Sequence, residues 1–503
     1  MQRGIRFGAV TAIVAAATFI IHADTPPNRT PDIQLQLGRL LFEDGRYGES
    51  LEAYQKALTI EDAGSRRLAR SGVIQSALRV AAFDVARREA ETLLAAWPHD
   101  PDAMTLHADA LWASGLFEEA EAGYHDAVAL VPGHARAHHG VARSLLARSQ
   151  LDQAMNEAQQ ALKLAPRDLE IHHTAGAIFE RMHKYEEAAA AFSNYVNLLP
   201  NKDHSDKAAW SRAEIRFLRS FGQKVPFEMG ADAEHVLHTV PFRIVNDKVV
   251  IRARLNDAGP QDFIVDTGSE NTVVSRQTAQ RLGITPITYT LSAGVGEVGL
   301  RGLQLARIDS FDVGTLKLRN VPCLIKNPPL RDIPVRESES FSPLALGFSM
   351  TIDYRTRELT IGRHLAPEPS DFELPLRLYR LATVRGVVDL NHQANFVVDT
   401  GGEVISISQA TATALGKRDG MRRIPLKVYG TSGWDRDAFL MPGVDLAFAA
   451  IHYRNFPVVV LNLNAPSALL GFQLGGIVGH KFLSKYRVGI DLEKSVLRLK
   501  EVS

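Results

Sequence analysis

Two short phrases carry the residues of this 503-residue chain that could do chemistry: Phe263-Ile-Val-Asp266-Thr267-Gly268-Ser269 and Phe396-Val-Val-Asp399-Thr400-Gly401-Gly402. Each reads as an apolar strand stopped by an aspartate, a hydroxyl residue and a glycine. A single such triplet marks no more than a turn. Two of them, far apart in the chain and each behind a Phe-x-Val run, point to paired carboxylates. Two carboxylates held together cannot both ionise cheaply, so the pair keeps one proton and titrates as a unit. One can then take a proton from a water while the other protonates a carbonyl oxygen, with no metal and no covalent intermediate. Thr267 and Thr400 offer hydroxyls that could lock two loops together. Gly268 and Gly401 let backbone amides approach the carboxylates, which a Cβ would obstruct.

The elements needed to hold two such loops are repeated as well. Leu282-Gly283 recurs as Leu415-Gly416, at the same offset that separates the two aspartates, and Asn320-Val-Pro322 recurs as Asn455-Phe-Pro457. Ala345-Leu-Gly347 pairs with Ile477-Val-Gly479, and Thr351-Ile-Asp353 with Val488-Gly-Ile-Asp491. Leu359-Thr-Ile361 pairs with Val496-Leu-Arg-Leu499. Repeated in this order, they describe a duplicated β-domain.

From about 236 to 503 the chain resembles two retropepsin-like domains in tandem, similar to bacterial aspartyl protease family proteins. The family's Asp-Thr/Ser-Gly motif, its glycine-rich flap and its apolar-apolar-Gly strand are found in both halves. The resemblance implies an all-β, two-lobed acid protease fold, with lobes at 236–366 and 372–503. It implies an aspartic endopeptidase acting on a peptide or protein substrate, with Asp266 and Asp399 catalytic and no cofactor. Thr267, Gly268, Ser269, Thr400, Gly401 and Gly402 would support the pair. The halves differ at one motif position, where only Ser269 offers a side-chain hydroxyl and Gly402 offers none. A hydrogen bond favours the charged carboxylate, so Asp266 is expected to carry the charge and Asp399 the proton. The rival reading is a non-catalytic scaffold, its activity lost with the hydroxyl that Gly402 lacks.

The flaps are expected at 292–302 and 428–434, with Gly294, Gly296, Tyr429, Gly430 and Trp434 as substrate-binding positions. Gly294-x-Gly296-x-x-Gly299 also spells the dinucleotide fingerprint, which requires a helix next. Leu303 to Phe311 alternates like a strand instead, so a hairpin over a cleft is the better account.

The N-terminal half follows another rule. Pro98, Pro132, Pro166 and Pro200 recur at one constant step, as do Phe83, Phe117, Leu151 and Tyr185, and Ala86, Ala120, Ala154 and Ala188. A step of about 34 residues with this pattern resembles tetratricopeptide (TPR) repeats. Five copies are expected, at 31–64, 67–100, 101–134, 135–168 and 169–202, capped by a helix to about Phe221. The resulting all-α solenoid, 31–221, would offer its concave face to a protein partner, with 222–235 as the linker to the lobes. His134, His138 and His139 include an i, i+4 pair, but no further metal ligands accompany them, so they read as a solvated helix start.

Lys+Arg and Asp+Glu balance at 57 each, which leaves no electrostatic footprint for nucleic acid. Arg3 and Arg6 precede an apolar run at 7–21, and Ala23 offers a cleavage position, so 1–23 reads as a secretory signal. Export to the periplasm or beyond follows; left uncleaved, 7–21 would anchor the chain to the inner membrane. Cys323 is the only cysteine, so no internal disulfide can form.

Overall fold

The structure, a computed structural model, describes residues 30–230, 235–295, 300–326, 339–416, 423–430 and 433–502. The expected signal segment 1–23 and Gly296 lie outside these.

The first half is five antiparallel helix pairs and a cap: α1 (Thr30–Glu43), α2 (Tyr47–Ala57), α3 (Ala63–Arg79), α4 (Phe83–Ala96), α5 (Pro101–Ala113), α6 (Phe117–Leu130), α7 (Ala135–Ala147), α8 (Leu151–Leu164), α9 (Leu169–Arg181), α10 (Tyr185–Leu198) and α11 (Asp206–Arg219). The constant step of the sequence is the period of these pairs. The turn inside each pair needs one residue with positive φ: Gly45, Ala81, Gly115, Ser149 and His183. Three of the five are not glycine, so packing holds a backbone state that costs an L-residue about 1–2 kcal/mol. Asp62, Asp100 and Asp168 cap α3, α5 and α9 by accepting N–H bonds, and Ser205 caps α11. The slip in the period after the first repeat falls between a short α2 and an α3 of 17 residues. Small residues admit large rings: a Cβ on Gly140 would sit 2.2 Å from the Tyr124 ring, and one on Gly176 2.7 Å from Phe192.

Each lobe of the β-half repeats one scheme. In the first, Gln261–Val265 runs parallel to Glu339–Phe341, while Thr272–Val274 lies between Glu339–Phe341 and Leu316–Ile325. In the second, His392–Val398 runs parallel to Gly476–Val478, and Ser406–Ser408 lies between that strand and Ile451–Leu461. Lys248–Leu255 bridges to Leu300–Val313, as Leu381–Val388 does to Phe439–Phe448, so each lobe curls toward a barrel. The lobes meet in a shared sheet ordered His238–Pro241, Glu358–Gly362, Ser349–Asp353, Tyr486–Asp491, Val496–Glu501, Phe372–Tyr379. At its centre Thr351 faces Gly489. The duplicated strand pairs read from the sequence are therefore the seam between the lobes.

Two expectations are corrected. Ala345-Leu-Gly347 is not the counterpart of Ile477-Val-Gly479. It forms a 3-10 turn at Leu344–Leu346, and Gly347 closes it at φ +74°. The true counterpart is Glu339-Ser-Phe341, whose Phe341 carbonyl accepts from Asp266 N at 2.9 Å, as Val478 accepts from Asp399 N at 3.0 Å. Nor is 222–230 a free linker. Phe227 is buried, Glu228 exchanges backbone bonds with Arg319, and the Asn320 amide donates to the Val225 carbonyl.

Solenoid and lobes share cores. Trp112, Phe117 and Tyr124 cluster with Leu461, Phe472 and Leu474 of the second lobe, and Phe192, Phe217 and Phe221 with Val273, Leu305 and Leu324 of the first. Around the first contact Arg385 bonds Glu118 (2.6 Å) and Glu119 (2.9 Å), and Arg377 reaches Glu118 and Glu121.

Candidate active site

Both strand ends deliver their aspartates to one point between the lobes. Phe263, Val265, Phe396 and Val398 are buried in the core of the lobes, whereas Ile264 and Val397 line the cleft, so each apolar strand leaves its core at the aspartate. There the two carboxyls stand close enough that each alters the other's titration. The loops interlock. The Thr267 hydroxyl donates to the Val398 carbonyl (2.6 Å) and accepts from Thr400 N (3.1 Å). The Thr400 hydroxyl donates to the Val265 carbonyl (2.7 Å) and accepts from Thr267 N (3.1 Å). Both threonines are buried. A Cβ on Gly268 would lie 2.5 Å from the Asp399 carboxyl carbon, and one on Gly401 2.6 Å from Asp266 Oδ1. Glycine at both positions is what lets each loop slide under the opposite carboxyl.

The pair is electrostatically unequal, in the sense opposite to the sequence expectation. Ser269 does not reach Asp266; its hydroxyl donates to the Asn271 carbonyl at 2.8 Å. Asp266 accepts one backbone bond, from Gly268 N (3.0 Å). Asp399 accepts two, from Gly401 N (2.8 Å) and Gly402 N (2.9 Å). Burial and the neighbouring Asp399 charge push Asp266 up to about 7. Burial also raises Asp399, but its two amide bonds oppose the rise. The shared proton therefore belongs on Asp266 and the charge on Asp399.

Gly402 is not a lost serine. A Cβ there would stand 2.7 Å from Asp399 Oδ2, so the absent side chain is what brings this amide to the carboxylate. The neighbouring position changes with it. In the first lobe the Ser342 hydroxyl donates to the Ser269 carbonyl (2.8 Å). In the second, Gly479 stands where Ser342 does, and a Cβ on it would lie 2.9 Å from the Gly402 carbonyl, which accepts from His480 N.

Lys248 was not singled out in the sequence, where nothing distinguishes it from the other basic residues. It opens strand Lys248–Leu255, its ammonium donates to the Gly401 carbonyl across the lobe boundary, and its charge lowers both aspartates. Glu270, just past Asp266 in the chain, binds Arg380 of the other lobe at 2.6 Å.

The flap positions separate. Tyr429 and Trp434 pair across a two-stranded hairpin, rings 5.5 Å apart. Gly294, Tyr429 and Gly430 face the cleft, whereas Trp434 is not on its wall. The flaps touch: a Cβ on Gly430 would lie 2.3 Å from the Val295 carbonyl oxygen. Strand Leu300–Val313 stands where a dinucleotide fold would need a helix.

The three histidines each have partners. His134 caps α7 and bonds Asp102 (3.0 Å), His138 bonds Glu157 (2.6 Å), and His139 bonds Thr174 (2.8 Å). Among the described residues no group of acidic, histidine or cysteine side chains is arranged to hold a metal.

The aspartyl protease family model matches this chain twice, at residues 251–349 and 382–479. Tetratricopeptide models match at 31–63, 74–135 and 105–168. No curated protein matches the chain. Solved structures similar to it include TTC0263, a TPR protein of Thermus thermophilus (21% identity, 37% of this chain, 98% of that one, TM-score 0.32). MamA of Desulfovibrio magneticus is similar at 18% identity (34% of this chain, 94% of that one, TM-score 0.25). So is YrrB, described as a TPR protein with an unusual peptide-binding site (18% identity, 33% of this chain, 86% of that one, TM-score 0.23). Each of these likenesses covers little more than a third of this chain or less.

Proposed function

We propose that this chain, which carries two tandem retropepsin-like aspartyl protease domains behind a TPR solenoid, is a single-chain aspartic endopeptidase. The observation that carries the reading is the interlocked Asp266–Asp399 pair, with one carboxyl wired for charge and the other for a proton. Asp399 takes a proton from a water held between the carboxyls. The water oxygen bonds to the scissile carbon as Asp266 gives its proton to the carbonyl oxygen. Asp399 then passes the water's proton to the amine nitrogen as the C–N bond breaks, and a hydroxyl of the tetrahedral centre returns a proton to Asp266. The solenoid recruits the protein substrate or a partner. The basic start and the apolar run at 7–21 support export, with the protease outside the cytoplasm.

The test is cleavage of a diverse peptide library by residues 24–503, from about pH 3 to about pH 8, beside Asp266→Asn and Asp399→Asn. Cleavage lost in both variants and blocked by a statine-type transition-state mimic is expected. No cleavage by the unaltered chain at any pH would transfer the function to a binding scaffold.

A further inference from the structure

The cleft does not end at the protease. One chamber of about 2120 Å³ is walled on one side by Asp266, Asp399 and both flaps. On the other it is walled by the concave face of the solenoid, from Gln75 on α3 to Ser211 and Glu214 on α11. Small-molecule pockets measure roughly 300–1,000 Å³, so a small substrate would leave most of this space empty, whereas a stretch of polypeptide fills it. The solenoid also closes on itself. Arg79, at the end of α3, is bonded to Glu170, at the start of α9, across the concave face from the second repeat to the fifth. The Asn201 amide donates to the Asp44 carbonyl, joining the last repeat to the first. A folded domain cannot be laid into a face closed in this way; an extended chain can be threaded along it.

The wall has groups for such a chain to meet. Glu180 on α9 and Glu214 on α11 line the chamber, and no hydrogen bond or ion pair ties either side chain down among the described residues. Burial keeps both protonated toward neutral pH, at about 8 and about 7. A neutral carboxyl both donates and accepts, which suits the peptide groups of a passing strand.

We propose that the concave face of the solenoid is the outer part of the substrate-binding surface of the Asp266–Asp399 pair. Its occupant is an extended, unfolded segment of polypeptide that threads the chamber to reach the carboxyls. The proposal rests on the reading of the pair as a protease dyad, and its test separates the two. Cys323 is buried, so Ser211→Cys places the sole accessible thiol on the solenoid wall. The full chain with Ser211→Cys and Asp399→Asn is labelled with benzophenone maleimide and irradiated with a disulfide-bonded test protein. That protein is used native and after reduction and carboxymethylation. At least a tenfold excess of crosslink to the unfolded form is expected, with a melting curve matching that of the unlabelled chain.

Equal crosslinking of native and unfolded protein would overturn the proposal. So would cleavage of the unfolded protein by the Asp399 chain without any crosslink from the wall. Crosslinking of the unfolded form with no cleavage by the Asp399 chain would sink the protease reading and uphold the chamber as a polypeptide site.

Discussion

Asp266 and Asp399 belong to near-identical phrases, yet one extra amide separates their roles. Because Gly402 N reaches Asp399, the active form holds its charge on Asp399 and its proton on Asp266. Cleavage should therefore rise with pH as Asp399 ionises, above the usual carboxylate range because burial raises it. It should fall again as Asp266 loses its proton near about 7; a pH–rate profile reads both limbs. The same geometry reverses the intuition about the motif's fourth residue. Gly402→Ser restores the formal symmetry of the motif but drives a Cβ to within 2.7 Å of Asp399 Oδ2. Cleavage should drop roughly 100-fold, the scale of a misplacement of about 1 Å at a reacting group. Activity equal to or above that of the unaltered chain would contradict this account.

At the scale of elements, the two loops stand only because each threonine serves the other loop. Thr267→Ala removes a donor to Val398 and an acceptor for Thr400 N, both buried, and should destabilise the seam by about 1–3 kcal/mol. Thr267→Ser keeps both bonds and should retain most of the cleavage rate. Comparing denaturant midpoints and rates of the two variants checks this. Helices α9 and α11 bear a second prediction. The ordinary pKa of Glu180 and Glu214 is 4.5, and the fold raises it to about 8 and about 7. Between those limits the folded state holds protons that the unfolded chain has released, so the stability these two groups contribute is fully present below about 4.5 and is lost as pH rises toward 8. Buried His139 and His183, held at about 4, act the other way up to their ordinary 6.5, so the fall in melting temperature should show between about 6.5 and about 8. Glu180→Gln with Glu214→Gln should flatten the fall by about 2–4 °C or more.

For the whole molecule, the consequence of shared cores is that protease and solenoid fold as one body. Trp112 packs edge-on against Tyr379 with ring centres 5.8 Å apart, and Phe117 against Phe472 at 5.1 Å. Removing residues 24–235 would bare Leu461, Phe472, Leu474, Val273 and Leu305. That exposure predicts aggregation of the isolated lobes rather than release of an unrestrained enzyme. Size-exclusion chromatography of residues 236–503 tests it, and a monodisperse, active fragment would refute it. The charged rim gives a gentler test. Arg385→Glu faces Glu118 and Glu119 with like charge and should lower the melting temperature. Pairing it with Glu119→Arg, which leaves Glu118 on Arg377, should recover part of the loss.

What the sequence determined by itself is everything encoded locally and twice. The constant step of the first half fixes helix pairs because each pair buries the same small and large positions. The two Asp-Thr-Gly strand ends, with the strand pairs behind them, imply a duplicated β-lobe whose carboxyls meet. Tertiary structure decided what depends on approach between distant segments. Ala345-Leu-Gly347 copied a motif in letters, but the hydrogen bond from Asp266 N selects Phe341, and no short pattern encodes a partner so far along the chain. The proton fell to Asp266 because backbone amides, invisible in side-chain identity, outnumber one hydroxyl that turned to Asn271. Lys248 reached Gly401, and the concave face reached the carboxyls, only once the lobes and the solenoid had packed. Composition cannot announce a contact of that kind, because its energy lies in the geometry between elements and not within any one of them.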